Sequence, residues 1–145
     1  TSAGGYFVAT GVNAIAERNI ATAFISTAQG TTSTGGTFID LTTVGPVVSN
    51  LSTGTHALVL FKAHASNTSS NIPMAISFAV SGATTTSASF NYSPQIDGIP
   101  SGNKPSICGF KYITLNAGTN TFTMKYYNNG GTATFELREL VVIPL

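Results

Sequence analysis

The chain has 145 residues, 42% of them apolar, which is enough for one domain with a sizeable core. Only 8% are charged and the formal net charge is +1, so a basic surface for nucleic acid is not expected. No apolar run approaches the ~20 residues of a membrane-spanning helix, and membrane insertion is not expected either.

Short strand-like segments, separated by Gly, Pro, Asn and Ser clusters, recur from residue 20 to the end. Met74–Ser81 shows the clearest alternation, with large apolar side chains at every second position. One short helical turn is predicted at 13–18, with Asn13 as its cap. This spacing predicts an all-β fold, a two-sheet antiparallel β-sandwich of jelly-roll type with about eight strands. The predicted strands are 20–27, 37–43, 47–51, 56–65, 74–81, 85–92, 107–115, 121–127 and 132–143.

Two segments differ from the predicted strands. Residues 1–19 carry glycines around an apolar stretch, and they are predicted to be an N-terminal connector or attachment segment before a sandwich domain at 20–145. Residues 93–106 form a long loop with three prolines, and loops of this length are often functional. A surface loop without a ligand is the alternative. The receptor-binding candidates in and beside this loop are Phe90, Tyr92, Gln95, Asp97, Asn103 and Lys104.

Few residues could carry catalysis. In a regular strand Glu136 and Glu139 would project to opposite faces, so they do not form a ready catalytic pair. His56 and His64 would lie about 26 Å apart along one strand, too far to bind the same metal ion. The single cysteine, Cys108, excludes an intrachain disulfide and is expected to be buried. The sequence therefore predicts no enzyme activity, no metal site and no cofactor.

The C-terminal strand changes character along its length. Ala133, Phe135 and Leu137 are predicted on one face, opposite Thr134, Glu136 and Arg138. From 140 to 143 both faces are apolar, so something must cover the second face. A neighbouring strand, the N-terminal segment around Tyr6–Val8 or another copy of the chain would do so, and we expect a homotrimer. The subunit-contact candidates are Ala75, Ser77 and Ala79, small residues that permit close approach, with Val141 and Ile143.

Three stretches resemble a module of tail-fibre and minor tail proteins from double-stranded DNA bacteriophages. They are residues 37–70, 74–89 and 114–145, and their most distinctive blocks are DLTTVGP (40–46), SFAVSGATT (77–85) and the ending VIPL (142–145). Residues 91–109 depart most from the pattern. The resemblance implies a jelly roll similar in shape to trimeric tumour-necrosis-factor and C1q-type heads.

The same resemblance implies a role on the virion surface, in host attachment by binding rather than by chemistry. The expected partners are other copies of the chain, other virion proteins and a host cell-surface glycan. The first alternative is a decoration protein or head fibre on the phage head. The second is a secreted trimeric ligand of the C1q or tumour-necrosis-factor type, which glycans on the sequons at Asn50, Asn67 or Asn91 would favour.

Overall fold

The computed structural model describes residues 5–11 and 14–145, and the regular secondary structure of this part of the chain is almost entirely β-strand. A single 3₁₀ turn at Phe90–Tyr92 is the exception. The strands in chain order are β1 Gly5–Gly11, β2 Ala14–Asn19, β3 Ala21–Ile25, β4 Gln29–Thr31, β5 Val47–Thr53, β6 His56–Asn67, β7 Met74–Gly82, β8 Gln95–Ile96, β9 Ser106–Thr114, β10 Gly118–Asn128 and β11 Ala133–Pro144.

Two antiparallel sheets pack face to face. The four-stranded sheet has the order β5-β10-β7-β8, and the five-stranded sheet has the order β3-β11-β6-β9, with β4 also paired to β11. Each long strand alternates between buried side chains toward the partner sheet and less buried ones outside. Aromatic pairs cross the interior, with Phe61 5.5 Å from Phe78 and Tyr126 4.9 Å from Phe135. The predicted β-sandwich of jelly-roll type is confirmed.

The N-terminal strands β1 and β2 form a separate antiparallel hairpin. It adjoins the sandwich at the C-terminus, where the Tyr6 hydroxyl donates to the Pro144 carbonyl oxygen. The helical turn predicted at 13–18 is wrong for 14–18, which are strand, and its cap Asn13 lies outside the described residues. The division into a connector and a domain at residue 19 stays a prediction.

Two other predicted strands are absent from the sheets. Residues 37–43 form only an isolated bridge between Ile39 and Tyr126, and 85–92 form only the bridge between Thr86 and Val80 followed by the 3₁₀ turn. Each segment pairs at one point with a strand of the four-stranded sheet and contributes one side chain toward the core, Leu41 and Tyr92 respectively, while Phe38 and Phe90 lie over the outer side of that sheet. There Phe38 and Phe90 both contact Tyr127 of β10. These segments therefore act as covers for that sheet rather than as members of it.

A β-bulge in β11 reverses the predicted faces of Leu137 and Arg138, whereas those of residues 133–136 are as predicted. Glu136 pairs with His64 and Glu139 with Lys62, so one extra residue is accommodated on β11. Leu137 takes a φ of 49° and turns outward. Arg138, which the alternation placed outside, is instead buried in the core. The bulge thus explains why Leu140 and Val142 face inward, and pairing with β6 resumes at Glu139.

Tyr126 makes a polar contact in the core, and its burial has a consequence at alkaline pH. Its hydroxyl donates to the Gly45 carbonyl oxygen at 2.7 Å. Burial raises the pKa of Tyr126 above its ordinary value of 10.0, and the nearby Arg138 only partly opposes this. Because the pKa is raised in the folded state, the stability linked to it is complete below about pH 10 and is lost as the pH rises toward the folded value.

We therefore expect the free energy of unfolding to fall more steeply above about pH 10 in the wild type than in Tyr126→Phe. At neutral pH the variant should be less stable by about 1 kcal/mol, because it lacks one hydrogen bond. Urea unfolding at neutral and alkaline pH measures both effects. Tyr6 and Tyr92, whose pKa values burial also raises, remain in both proteins and cancel in the comparison. Parallel pH profiles would contradict the assignment to Tyr126.

Candidate functional site

The outer face of the five-stranded sheet is apolar. The strand register places Val141 beside Leu60 and Leu60 beside Phe110, while the next row joins Ile143, Leu58 and Tyr112. Phe24 on the edge strand β3 lies beside Glu139. We call seven of these side chains the apolar face: Phe24, Leu58, Leu60, Phe110, Tyr112, Val141 and Ile143.

The apolar face is exposed in the single chain. Phe110 is 74% exposed, Phe24 58% and Tyr112 56%, whereas Val141 and Ile143 are half-buried. A shallow depression of about 490 Å³ lies over Leu60, Phe110 and Val141. Single exposed apolar residues are ordinary, but a contiguous set of this kind marks an interaction surface.

Charge does not disfavour contact between identical copies here. Lys62 and Glu139 lie within the surface, and their charged groups are paired at 2.9 Å. Glu136 is bound by Lys104 at 3.0 Å further along the same sheet. The expectation that Glu136 and Glu139 project to opposite faces is wrong, because the bulge turns both outward. Each carboxylate is held by its own lysine.

Cys108 lies on the same outer face, opposite Lys62, and it is exposed. The expectation of a buried cysteine is wrong because the alternation of β9 gives the inward position to its neighbour Ile107, which is buried. Because Cys108 is the single cysteine of the chain, its thiol is a clean chemical probe of whether this face is covered.

The five predicted subunit-contact residues separate into two groups. Val141 and Ile143 lie on the apolar face, as described above. Ala75 and Ser77 do not lie on an accessible surface, because both are fully buried within the chain and Ser89 is bonded to Ser77. The Ser77 hydroxyl donates to the Ser89 carbonyl oxygen and accepts from the Ser89 amide. Another chain therefore cannot reach Ala75 or Ser77. Ala79 is half-buried and lines a cleft on the outer side of the four-stranded sheet.

An open cleft of about 720 Å³ lies on the opposite side of the sandwich, outside the four-stranded sheet. Segments 36–38 and 87–91 form its walls, and Lys125 and Ala79 lie between them. We call it the aromatic cleft because Phe90, 47% exposed, packs 4.7 Å from Phe38 in its wall. The Lys125 ammonium is paired with the Asp40 carboxylate at 2.6 Å.

The receptor-binding candidates do not form one site. Phe90 lines the aromatic cleft, but Tyr92 turns toward the core, 5.0 Å from Phe78, and its hydroxyl donates to the Ser87 carbonyl oxygen. The 3₁₀ turn between them sends the two rings in different directions. Phe90 and Tyr92 are therefore not placed to contact the same ligand.

The rest of the candidates lie along the edge of the sandwich. Gln95 pairs with Ala75 in the four-stranded sheet, whereas Lys104 reaches Glu136 of the five-stranded sheet. Asp97 and Asn103 are exposed between them. The 93–106 segment is also fastened to residues 65–71, for example by the Ser101 hydroxyl donating to the Thr68 carbonyl oxygen at 2.9 Å. The candidates are thus distributed over both sheets.

Several residues of these two surfaces were missed in the sequence, although a signal was present. In β6 Leu58 and Leu60 alternate with buried Ala57, Val59 and Phe61, so this strand is also apolar on both faces. The strand β9 repeats the pattern with Phe110 and Tyr112. The strands β6, β9 and β11 each have apolar residues on both faces. Once their pairing is known, this pattern predicts an apolar outer face of the sheet. Phe38 carried no comparable signal.

The sequons differ in accessibility. The Asn67 side chain is buried, and its amide nitrogen donates to Asn128 Oδ1 and to the Gly130 carbonyl oxygen, each at 3.0 Å. A glycan on Asn67 is incompatible with these contacts. Asn50 and Asn91 are exposed.

Within residues 5–11 and 14–145, no three or more His, Cys, Asp or Glu side chains are grouped closely enough to hold a metal ion. The described part of the chain also has no helix with the length and hydropathy needed to cross a membrane.

No protein-family model matches the sequence, and no curated protein is similar to it. The structure is similar to a chain of infectious bursal disease virus Gt strain, with a TM-score of 0.59 and 9% identity over 94% of this chain. The VP2 subviral particle of the same virus gives the same TM-score, identity and coverage of this chain. An Eiger TNF from S. frugiperda matches at a TM-score of 0.49, with 10% identity over 85% of this chain and 93% of its own.

This chain spans about a third of the viral chains, 35% and 36% of their lengths respectively. At 9% identity the likeness concerns the fold alone. The chain is a β-sandwich of jelly-roll type whose fold also occurs in a protein of virus particles.

Proposed function

We propose that this chain is a non-catalytic domain of a virion surface structure, the head of a phage tail fibre or spike, and that it acts in host attachment. In this proposal three copies associate through the apolar face. The observation that carries it is that face, exposed on the side of the sandwich away from the core and electrically neutral because Lys62 and Glu139 are paired.

The energetic argument for association is direct. Full burial of an exposed Phe or Leu side chain is worth roughly 1.5–3 kcal/mol, so covering Phe24, Leu60 and Phe110 would contribute several kcal/mol per chain. Identical copies around an axis cover the same patch on every chain. No net charge on the patch opposes the contact.

The virion location is supported by two further observations. The sequence resembles a module of phage tail proteins over residues 37–70, 74–89 and 114–145. The fold is shared with the VP2 subviral particle of infectious bursal disease virus. A surface with few charges and many Ser, Thr and Asn side chains also suits a particle component exposed to the environment.

Association is tested by sedimentation of the wild type against Phe110→Asp. Phe110 lies on the edge strand β9 and is largely exposed, so this variant should fold normally. We expect the wild type to sediment at three times its 14.9 kDa chain mass at micromolar concentration and the variant at the mass of one chain. The matched control, Phe90→Ala, alters an exposed phenylalanine on the opposite side and should remain trimeric. A monomeric wild type would overturn the trimer.

Cys108 supplies a second measurement on the same samples. In the assembly its thiol should react slowly with a maleimide reagent, whereas in Phe110→Asp it should react at the rate of an exposed thiol. Equal rates in the two proteins would show that the face is not covered.

A decoration protein of the phage head would carry the same domain and the same apolar face. Antibody labelling of intact particles separates the two locations, since label confined to the head would overturn the tail assignment.

A further inference from the structure

We infer that the aromatic cleft is a carbohydrate-binding site that accepts a neutral pyranose ring. The inference rests on the proposed adhesive role for its biological meaning, but its chemistry is argued from the cleft itself. At about 720 Å³ the cleft has the size of a small-molecule site.

The cleft is held open by the fold rather than formed by mobile loops. One wall is fixed where Thr86 and Val80 exchange backbone hydrogen bonds at 2.8 and 2.9 Å, and again where Ser89 is bound to Ser77. The other wall is fixed where Ile39 and Tyr126 exchange backbone hydrogen bonds at 2.9 and 3.0 Å. A site prepared in this way loses little conformational entropy when a ligand binds.

The lip of the cleft is also open. Gly36 takes a φ of 87°, a conformation that favours glycine, and a Cβ placed there would meet no atom within 4 Å. A ligand can therefore approach from the solvent without displacing a side chain at this position.

The side chains around the opening match a ligand that is apolar on one face and hydroxylated at its edge. Phe90 is about half exposed at the cleft, while its packing against Phe38 and Tyr127 fixes the orientation of the ring. Beside it the exposed Asn91 side chain forms no hydrogen bond with the described part of the chain, so its amide can both donate and accept. The Ser87 hydroxyl and the Lys125 ammonium add further donors to the lining.

Other ligand classes fit less well. The charge of Lys125 is balanced by Asp40 at 2.6 Å, so the cleft has no excess charge with which to select a phosphate or a nucleotide. The hydroxyl and amide groups of the lining would be left unpaired by a lipid chain, which is costly. A pyranose presents its C–H face to Phe90 and its hydroxyls to the polar groups, and it needs no charge.

The test is a titration of the complete chain, uniformly labelled with ¹⁵N, with each of six free sugars at millimolar concentration. The probes are glucose, galactose, mannose, rhamnose, N-acetylglucosamine and N-acetylgalactosamine. We expect at least one sugar to shift the amide resonances of 36–38 and 87–91. Absence of shifts with all six sugars, or shifts confined to the 93–106 loop, would overturn the inference.

Two variants localise the binding. Phe90→Ala removes the stacking surface and should weaken the binding of that sugar about tenfold. Because Phe90 also packs on Phe38 and Tyr127, Asn91→Ala serves as a second variant that leaves the packing intact, and it should weaken binding about threefold to tenfold. Wild-type affinity in both variants would overturn the site.

The control Phe110→Asp, on the far side of the sandwich, should bind the sugar with unchanged affinity even where it prevents association. The outcomes are separable. If the wild type forms a trimer but binds no sugar, only this inference is rejected. If the wild type binds a sugar but is monomeric, only the proposed trimer is rejected.

Discussion

Arg138→Met is expected to raise the stability of the protein, whereas Arg138→Ala is expected to lower it. Arg138 is fully buried, yet both acceptors of its hydrogen bonds are neutral, the carbonyl oxygens of Gly45 and Thr27, each at 3.3 Å. Its Nε has no hydrogen-bond partner in the described part of the chain. The cation lies 5.6 Å from the Tyr126 ring, which compensates only part of the desolvation.

The two substitutions separate volume from charge. Methionine fills most of the same space without a charge, and replacing a poorly compensated buried ion by an apolar residue stabilises proteins by about 1–4 kcal/mol. Both carbonyl oxygens lose their arginine contact, but that of Gly45 still accepts from the Tyr126 hydroxyl. Alanine instead leaves a cavity, at a cost of about 2–5 kcal/mol for a large side chain.

Urea unfolding and thermal melting of the three proteins measure these differences, at about 2–4 °C for each kcal/mol in a chain of this size. Arg138→Lys keeps the charge but lacks the planar guanidinium group with its several N–H donors, so it should be less stable than the wild type. If Arg138→Met were as unstable as Arg138→Ala, the arginine contacts would be net stabilising and the argument from the missing counter-charge would be wrong.

The same residue shows where sequence reasoning reaches its limit. The alternation of side chains along a regular strand predicts that Arg138 lies on the outer face of the sheet. The bulge adds one residue at Leu137, which takes a positive φ although it is not a glycine or an asparagine. Nothing local marks such a site, because the reversal is stabilised by the burial of Leu140 and Val142 beyond it.

The covering segment 85–92 illustrates a second limit. Its Thr, Phe and Tyr residues have strand propensity, but propensity does not decide which segments join a sheet. Here the β7 edge is occupied by β8 through Met74 and Ala75, and by a single bridge at Thr86. The aromatic cleft exists because this segment remains outside the sheet. Its position depends on long-range pairing, which a single sequence does not display.

The apolar face was only partly predictable for a related reason. Apolar residues on both faces of 140–143 indicated a second covered surface, and Val141 and Ile143 do lie on it. Its larger members, Phe24 and Phe110, come from strands distant in sequence, and only the register of β3, β11, β6 and β9 brings them together. The alternation within one strand shows which of its side chains share a face, but it does not show which strands lie beside it.

Asn128→Ala is expected to destabilise the fold by about 3 kcal/mol, because several buried polar groups lose their partner at once. Asn128 is fully buried at the end of β10. Its amide nitrogen donates to the carbonyl oxygens of Thr31 and Gly131, at 3.1 and 3.3 Å. Its amide oxygen accepts from Asn67 at 3.0 Å and from the Gly130 backbone at 3.3 Å.

Alanine would leave the Thr31 carbonyl and one Asn67 donor without these bonds in a site that water does not reach freely, and a loss of about 6–12 °C in melting temperature follows. The adjacent Asn129 is exposed, and Asn129→Ala should change stability by less than about 0.5 kcal/mol. Asn128→Asp keeps the acceptor, removes both donors and directs a carboxylate at two carbonyl oxygens, so at neutral pH it should be at least as destabilising as alanine. A melting temperature of Asn128→Ala equal to that of Asn129→Ala would contradict this role.

The backbone carbonyl of Asn128 also accepts from the Thr34 amide at 2.9 Å, beside the turn that leads into the aromatic cleft. The variant keeps this backbone bond but loses the side-chain bond to the Thr31 carbonyl, so residues 31–34 should loosen before the rest of the sandwich, which faster amide exchange in that segment would register.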